Sequence, residues 1–141
     1  MEIITVSDVE YIGFQLAREH LSFNEPIPDF STRYPNVLES CVVVPFQTFS
    51  GKALYPSLVA KASILFYLMI KNHPFQNGNK RIAITTLLTF LHFNSKWLRV
   101  DTQQFYNFTV WVAQSPPEVK DQVVEAIQTF IRRNLENASQ S

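Results

Sequence analysis

Two stretches of this chain are apolar on nearly every face: SILFYLMIKN (Ser63–Asn72) and IAITTLLTFLHF (Ile82–Phe93). In the first, Leu58, Ala62, Leu65, Phe66 and Met69 recur at helical spacing, and Ile64, Leu68 and Ile70 fill the remaining face. In the second, Ile84, Leu87, Leu88 and Leu91 form the stripe, with Ile82 and Phe90 beyond it. A helix without a polar face is normally enclosed by other helices. The pattern predicts helices at Ser7–His20, Asn36–Val43, Ser57–Asn72, Asn79–Asn94, Thr102–Gln114 and Pro116–Leu135. SDVE (Ser7–Glu10) and SPPE (Ser115–Glu118) read as capping boxes, with Pro116 at a first helical position that needs no N–H. The last helix is amphipathic. Val123, Ile127, Phe130 and Ile131 face inward, and Arg132 and Arg133 suit the negative end of its dipole.

Two segments break the helical pattern. SFNEPIPDFSTRYPN (Ser22–Asn36), with its three prolines, reads as a loop. VPFQTFSGKALYP (Val44–Pro56) alternates aromatic and polar residues around Ser50-Gly51, which predicts a small hairpin or an extended arm. The tail ENASQS, residues 136–141, is expected to fray. Neither an internal repeat nor a linker interrupts the chain, so the expectation is one all-α domain over residues 1–141 carrying a small β-hairpin.

Composition sharpens this picture. At 141 residues, 46% hydrophobic and 17% charged, the chain suits a single compact core. Twelve basic residues balance twelve acidic ones, so no positive field points to nucleic acid or an anionic membrane. Cys41, the single cysteine, permits no intrachain disulfide and sits in VLESCVVVP as a small buried hydrophobe. The N-terminus MEIITVSDVE does not read as a signal peptide, and the run Ile64–Ile70 is far short of the roughly 20 residues that span a bilayer. These features together read as a soluble cytoplasmic protein.

Between the two apolar segments lies HPFQNGNKR (His73–Arg81). A helix start presents unpaired N–H groups and the positive end of a dipole, which favours an anion. Gly78 lets the backbone approach a bound group closely. Lys80 and Arg81 add cations in a first turn where the dipole disfavours them unless an anion is bound. Phosphate is the obvious candidate, and His73 is placed to take a proton from an attacking hydroxyl. Taken singly, Asn77-Gly78 is a turn, Pro74 a helix stop and Phe75 a core anchor; their convergence with a histidine and two cations favours a site. Lys71 reads as a solvated helix-end lysine, although it lies within reach of a phosphate. His20 and His92 have no metal-ligand spacing, and Trp97 and Trp111 read as packing.

HPFQNGNKR resembles the signature of the Fic/Doc superfamily, histidine-any-phenylalanine-any-acid-glycine-asparagine-any-arginine, in the form found in its death-on-curing (Doc) branch. Leu54–Leu98 is similar to that branch throughout, and VSDVEYI and VLES are similar to its earlier elements. The resemblance implies an all-helical Fic-type fold and transfer of a phosphate-containing group from a nucleotide to a protein hydroxyl. It implies His73 as catalytic base, Phe75 as loop anchor, Asn79 and Arg81 on the nucleotide phosphates, and Gly78 in an anion hole. Lys80, replacing a glycine of adenylyl-transferring members, goes with transfer of the terminal phosphate of ATP. Ile84 stands where longer Fic motifs carry a second arginine. Asn77 occupies the acidic Mg²⁺-binding position, and an amide oxygen brings no charge to that metal. The hairpin matches the flap that pairs with a target, with Phe46, Gln47, Thr48 and Phe49 as target-binding residues.

In many Fic proteins an inhibitory helix carries Ser or Thr four residues before a glutamate. No glutamate here is so preceded, so a toxin of this kind implies an antitoxin protein as partner. The expectation is therefore a Doc-like kinase acting on a protein substrate, with ATP and Mg²⁺ and without direct contact to nucleic acid or membrane. The alternatives are an adenylyltransferase of the same fold and a catalytically weakened nucleotide- or partner-binding module. A nucleic-acid-binding helical domain is a third, disfavoured by zero net charge.

Overall fold

The computed structural model describes residues 1–20 and 26–138, without the side chain of His20. Helices dominate it. The chain begins with α1 (Val6–Asp8), which passes through a π-helical segment, Val9–Phe14, into α2 (Gln15–His20). Then come α3 (Pro35–Val43), the hairpin β1 (Thr48–Phe49) and β2 (Lys52–Ala53), α4 (Leu58–Lys71) and α5 (Asn79–Phe93). Strand β3 (Lys96–Leu98), α6 (Thr102–Gln114), α7 (Lys120–Asn134) and β4 (Leu135–Asn137) complete it. Single 3₁₀ turns lie at Phe30–Thr32, Val44–Phe46 and Pro117–Val119.

The centre is the α4–α5 pair. Every residue of α4 from Lys61 to Ile70 is buried, and α5 is buried from Arg81 to Leu91 except at Leu88. α4 is enclosed by α3, α5, α6 and α7, while α5 is covered on its far side by the π-helical segment and α2. Some polar side chains in this interior reach backbone carbonyls, while the Ser63 and Thr86 hydroxyls are buried without a hydrogen-bond partner among the described residues. The Thr85 hydroxyl donates to the Gly13 carbonyl at 2.5 Å, meeting a carbonyl on the π-helical segment. Lys61 is buried and its ammonium donates to the Tyr55 carbonyl. Cys41 is a buried thiol whose pKa burial pushes up to about 12, so it is a core residue and no nucleophile. No described helix is long and apolar enough to cross a membrane.

Three sequence expectations change. The N-terminal box forms two residues early: Thr5 is the cap, its hydroxyl accepting from the Asp8 N–H at 3.2 Å while the Asp8 carboxylate accepts from the Thr5 N–H at 2.9 Å. Ile4 and Val9 flank it and are both buried, the arrangement of a hydrophobic staple that SDVE lacks. SPPE forms no box. Pro117 holds Pro116 extended at φ −72° and ψ 146°, so no helix starts there. The Ser115 hydroxyl instead turns back to the Val112 carbonyl at 2.6 Å, and α7 begins at Lys120.

The tail is the third. Leu135–Asn137 does not fray but pairs antiparallel with Lys96–Leu98, Leu98 opposite Leu135, and the Ala138 N–H reaches the Ser95 carbonyl at 3.0 Å. Ser95 ends α5 in the left-handed conformation, φ 63°, which turns the chain toward this partner. Residues 139–141 of the tail, like Ser22–Glu25 of the proline-rich loop, lie outside the described residues.

Candidate functional site

The loop from His73 to Gly78 joins the buried ends of α4 and α5. His73 is exposed and left-handed, with φ 49°. That conformation normally falls to Gly or Asn after a helix C-cap, because a Cβ crowds the backbone. Phe75 anchors the loop at 1% exposure. Its ring lies 5.8 Å from those of Phe14 and Phe30, and these two stand 5.4 Å apart, making an aromatic triad under the motif. Tyr34 adds a second fastening, its N–H donating to the Pro74 carbonyl at 2.9 Å.

Asn79 closes the loop from the other side. It is buried, its Oδ1 accepts from the Phe75 N–H at 3.0 Å, and its Nδ2 donates to the Phe75 carbonyl at 2.9 Å. These two bonds use one N–H and one acceptor site of the Asn79 amide to shape the loop. Gly78, the N-cap of α5, has φ 73° and no room for a side chain. A Cβ there would meet Ile27 Cδ1 at 2.7 Å and the Pro26 carbonyl at 3.0 Å.

The start of α5 carries no side-chain cap and no acidic residue in its first turn. Its first intrahelical bond runs from the Ile82 N–H to the Gly78 carbonyl at 3.0 Å, so the helix offers no acceptor to the N–H groups ahead of Ile82. Lys80 is half-buried in this turn. Arg81 is 7% exposed, and its Nη2 donates to the Ala17 carbonyl in the middle of α2, 2.5 Å away. That guanidinium couples α2 to the site.

The described residues do not make a dedicated Mg²⁺ cage. Among the described residues no group of three His, Cys, Asp or Glu side chains could hold a metal. Asn77, the residue expected at the metal, is exposed, and its Oδ1 already accepts from the Gly78 N–H at 2.9 Å.

The hairpin forms as expected, Thr48 opposite Ala53 and Phe49 opposite Lys52, turning at Ser50 (φ 51°) and Gly51 (φ 76°). Its four candidate residues divide. Phe49 is 73% exposed, and Gln47 and Thr48 are exposed beside it. Phe46 precedes the strand in a 3₁₀ turn and packs edge-on to Phe90, ring centroids 5.5 Å apart, so it roots the hairpin in the core.

Lys71 is neither solvated nor free for a phosphate: its ammonium donates to the carbonyls of Ala113 at 3.1 Å and Ser115 at 2.5 Å, capping the end of α6. His92 stands edge-on to Trp97 at 6.1 Å, and Trp111 is 49% exposed with its ring stacked on Phe108. Sequence reasoning missed Phe30, Arg33 and Tyr34. Arg33 lies 4.3 Å over the Phe30 ring and donates to the Phe30 carbonyl at 3.2 Å, bracing the triad. The i, i+3 spacing of Phe30 and Arg33 was the available signal.

The model of the Fic/DOC family matches residues 3–91. Toxin Doc of Mycolicibacterium smegmatis is 36% identical over 73 residues, which are 52% of this chain and 56% of that protein. The chain thus spans about half the length of that curated relative. No solved structure matches the chain.

Proposed function

The chain belongs to the Fic/DOC family, and from that premise we propose that it is a Doc-like toxin that moves the terminal phosphate of ATP to a hydroxyl of a protein target. The observation that carries this reading is His73, exposed in a left-handed conformation one short loop before an uncapped helix start with two cations in its first turn. Non-glycine residues are held in such conformations where the surroundings over-determine them, and those places cluster at functional sites.

In the reaction His73 takes the proton from the target hydroxyl. The oxygen attacks the γ-phosphorus, the bond from that phosphorus to the β,γ-bridging oxygen breaks, and ADP leaves. The backbone at the start of α5, with Lys80 and Arg81, offsets the charge on the phosphates, and Asn79 acts by fixing the loop. Mg²⁺ accompanies ATP as a counter-ion in this reading. The side chain at position 80 and the absence of an arginine at Ile84 favour the kinase over the adenylyltransferase.

A second reading, a binding module of weakened chemistry, draws on Asn77, which brings no carboxylate and is already bonded to Gly78. Induction in cells separates the two. The toxin reading expects growth arrest by the wild type, none by His73→Ala, and rescue by the product of the adjacent gene acting as antitoxin. Harmless wild-type protein, with no neighbouring product bound, favours the module.

A further inference from the structure

Arg81 and Thr85 lie four residues apart on α5, and Gly13 and Ala17 lie four apart near the start of the chain. The two pairs meet in opposite directions. The Arg81 guanidinium donates to the Ala17 carbonyl, and the Thr85 hydroxyl donates to the Gly13 carbonyl, each at 2.5 Å. At the far end of α5 the Asn94 amide accepts from the Glu2 N–H and donates to the Glu2 carbonyl, both at 2.9 Å. Side chains of the α5 region thus fasten the N-terminal segment by its backbone, and the fastening ends at the motif.

The middle rung is the tightest. Gly13 is buried, and a Cβ there would stand 3.2 Å from Thr86 Oγ1 and 3.5 Å from Thr86 Cα. Thr85 has alternatives on its own helix, the Ile82 carbonyl at 3.1 Å and the Arg81 carbonyl at 3.3 Å, and the Gly13 bond is the shortest of the three. Gly13 belongs to the π-helical segment Val9–Phe14. A π turn takes in one more residue than an α turn, and each α-helical residue rotates the chain by about 100°. The extra residue therefore resets which carbonyls face α5, and in this setting Gly13 and Ala17 both do. π-Helical insertions recur at functional sites.

At the motif end the consequence falls on Arg81. A guanidinium is a rigid planar fork, so a bond fixed at Nη2 fixes the direction of its other nitrogens. We propose that Thr85 and Gly13 are positioning residues for the nucleotide. By holding the π-helical segment against α5 they place the Ala17 carbonyl on Arg81 and aim its guanidinium at the phosphates. This inference rests on the transferase reading and deepens it by naming what sets the aim of a phosphate-binding cation.

The test measures Mg²⁺–ADP binding by calorimetry, which needs neither a target protein nor turnover. Thr85→Val keeps the shape and loses the hydroxyl, whereas Thr85→Ser keeps the hydroxyl. Gly13→Ala lifts the same segment without changing α5, and each variant is checked by far-ultraviolet circular dichroism. If Thr85→Val loses its helical signal, Gly13→Ala decides in its place. The expected Kd for ADP rises about tenfold in Thr85→Val, rises in Gly13→Ala, and stays within about twofold of wild type in Thr85→Ser. Thr85→Val should also add nothing once Arg81→Met has removed the guanidinium. An unchanged Kd in the folded Thr85→Val or Gly13→Ala protein overturns the positioning role while the transferase stands. So does a serine variant no better than valine, or an equal loss in the Arg81→Met background. Wild-type protein that binds neither ADP nor ATP defeats the transferase reading, and this inference with it.

Discussion

His73 holds φ 49° although it carries a Cβ. A left-handed backbone costs a non-glycine residue about 1–2 kcal/mol, so an ordinary helix end would be better served by glycine. Two variants separate chemistry from conformation. His73→Ala keeps the strain and loses the imidazole: transfer should vanish while stability stays within about 0.5 kcal/mol, since the side chain is exposed. His73→Gly should be equally inactive yet more stable by up to about 1 kcal/mol in urea unfolding. An active His73→Ala, or a glycine variant no more stable than alanine, would contradict this account of the residue. At the neighbouring polar position, Asn77→Asp supplies the charge a hard cation prefers. Mn²⁺ titrated into the ATP-loaded variant should bind more tightly than to the ATP-loaded wild type; equal affinity would show that position 77 does not meet the metal.

The hairpin is the element whose two aromatics do opposite things. Phe46 packs on Phe90 and belongs to the core, while Phe49 projects into solvent. Phe46→Ala should lower unfolding stability by about 2–4 kcal/mol, as a partly enclosed cavity-forming change. Phe49→Ala should leave stability within about 0.5 kcal/mol and weaken modification of the target. A melting temperature lowered equally by both changes would show that both rings are structural. The sequence distinguished neither, because alternation along PFQTFSGK marks a ribbon but not where it leaves the core. Elements with strong local patterns were legible: α4 and α5 end within one residue of the predicted Ser57–Asn72 and Asn79–Asn94, and the Ser57 cap forms at 3.0 Å to the Ala60 N–H. Elements made by distant pairing were not. β3 and β4 are short, of mixed polarity and 36 residues apart by their ends, and nothing local in KWL or LEN announces a partner.

Across the whole molecule the motif was legible and its supports were not. His73, Gly78 and Phe75 occupy the places the nonapeptide implied, because loop, glycine and anchor are local properties. Asn79, Arg81 and Lys71 each bond a backbone carbonyl that the sequence did not announce: of Phe75, of Ala17, and of Ala113 and Ser115. Long polar side chains beside a buried helix end find such carbonyls in three dimensions, and no spacing rule foretells them. The consequence is a site whose chemistry rests on few groups: one imidazole, the start of one helix and its cations, in a molecule of zero formal net charge.

The central claim is therefore that His73 directs the γ-phosphoryl group of ATP onto a protein, and labelled ATP tests it most directly. Purified protein is incubated with cell extract and ATP labelled at either the γ or the α phosphate, beside His73→Ala. The account predicts a labelled protein band with γ-labelled ATP, none with α-labelled ATP, and none from the variant. Label from the α position would contradict kinase chemistry in favour of adenylylation, and label undiminished in His73→Ala would contradict the site itself.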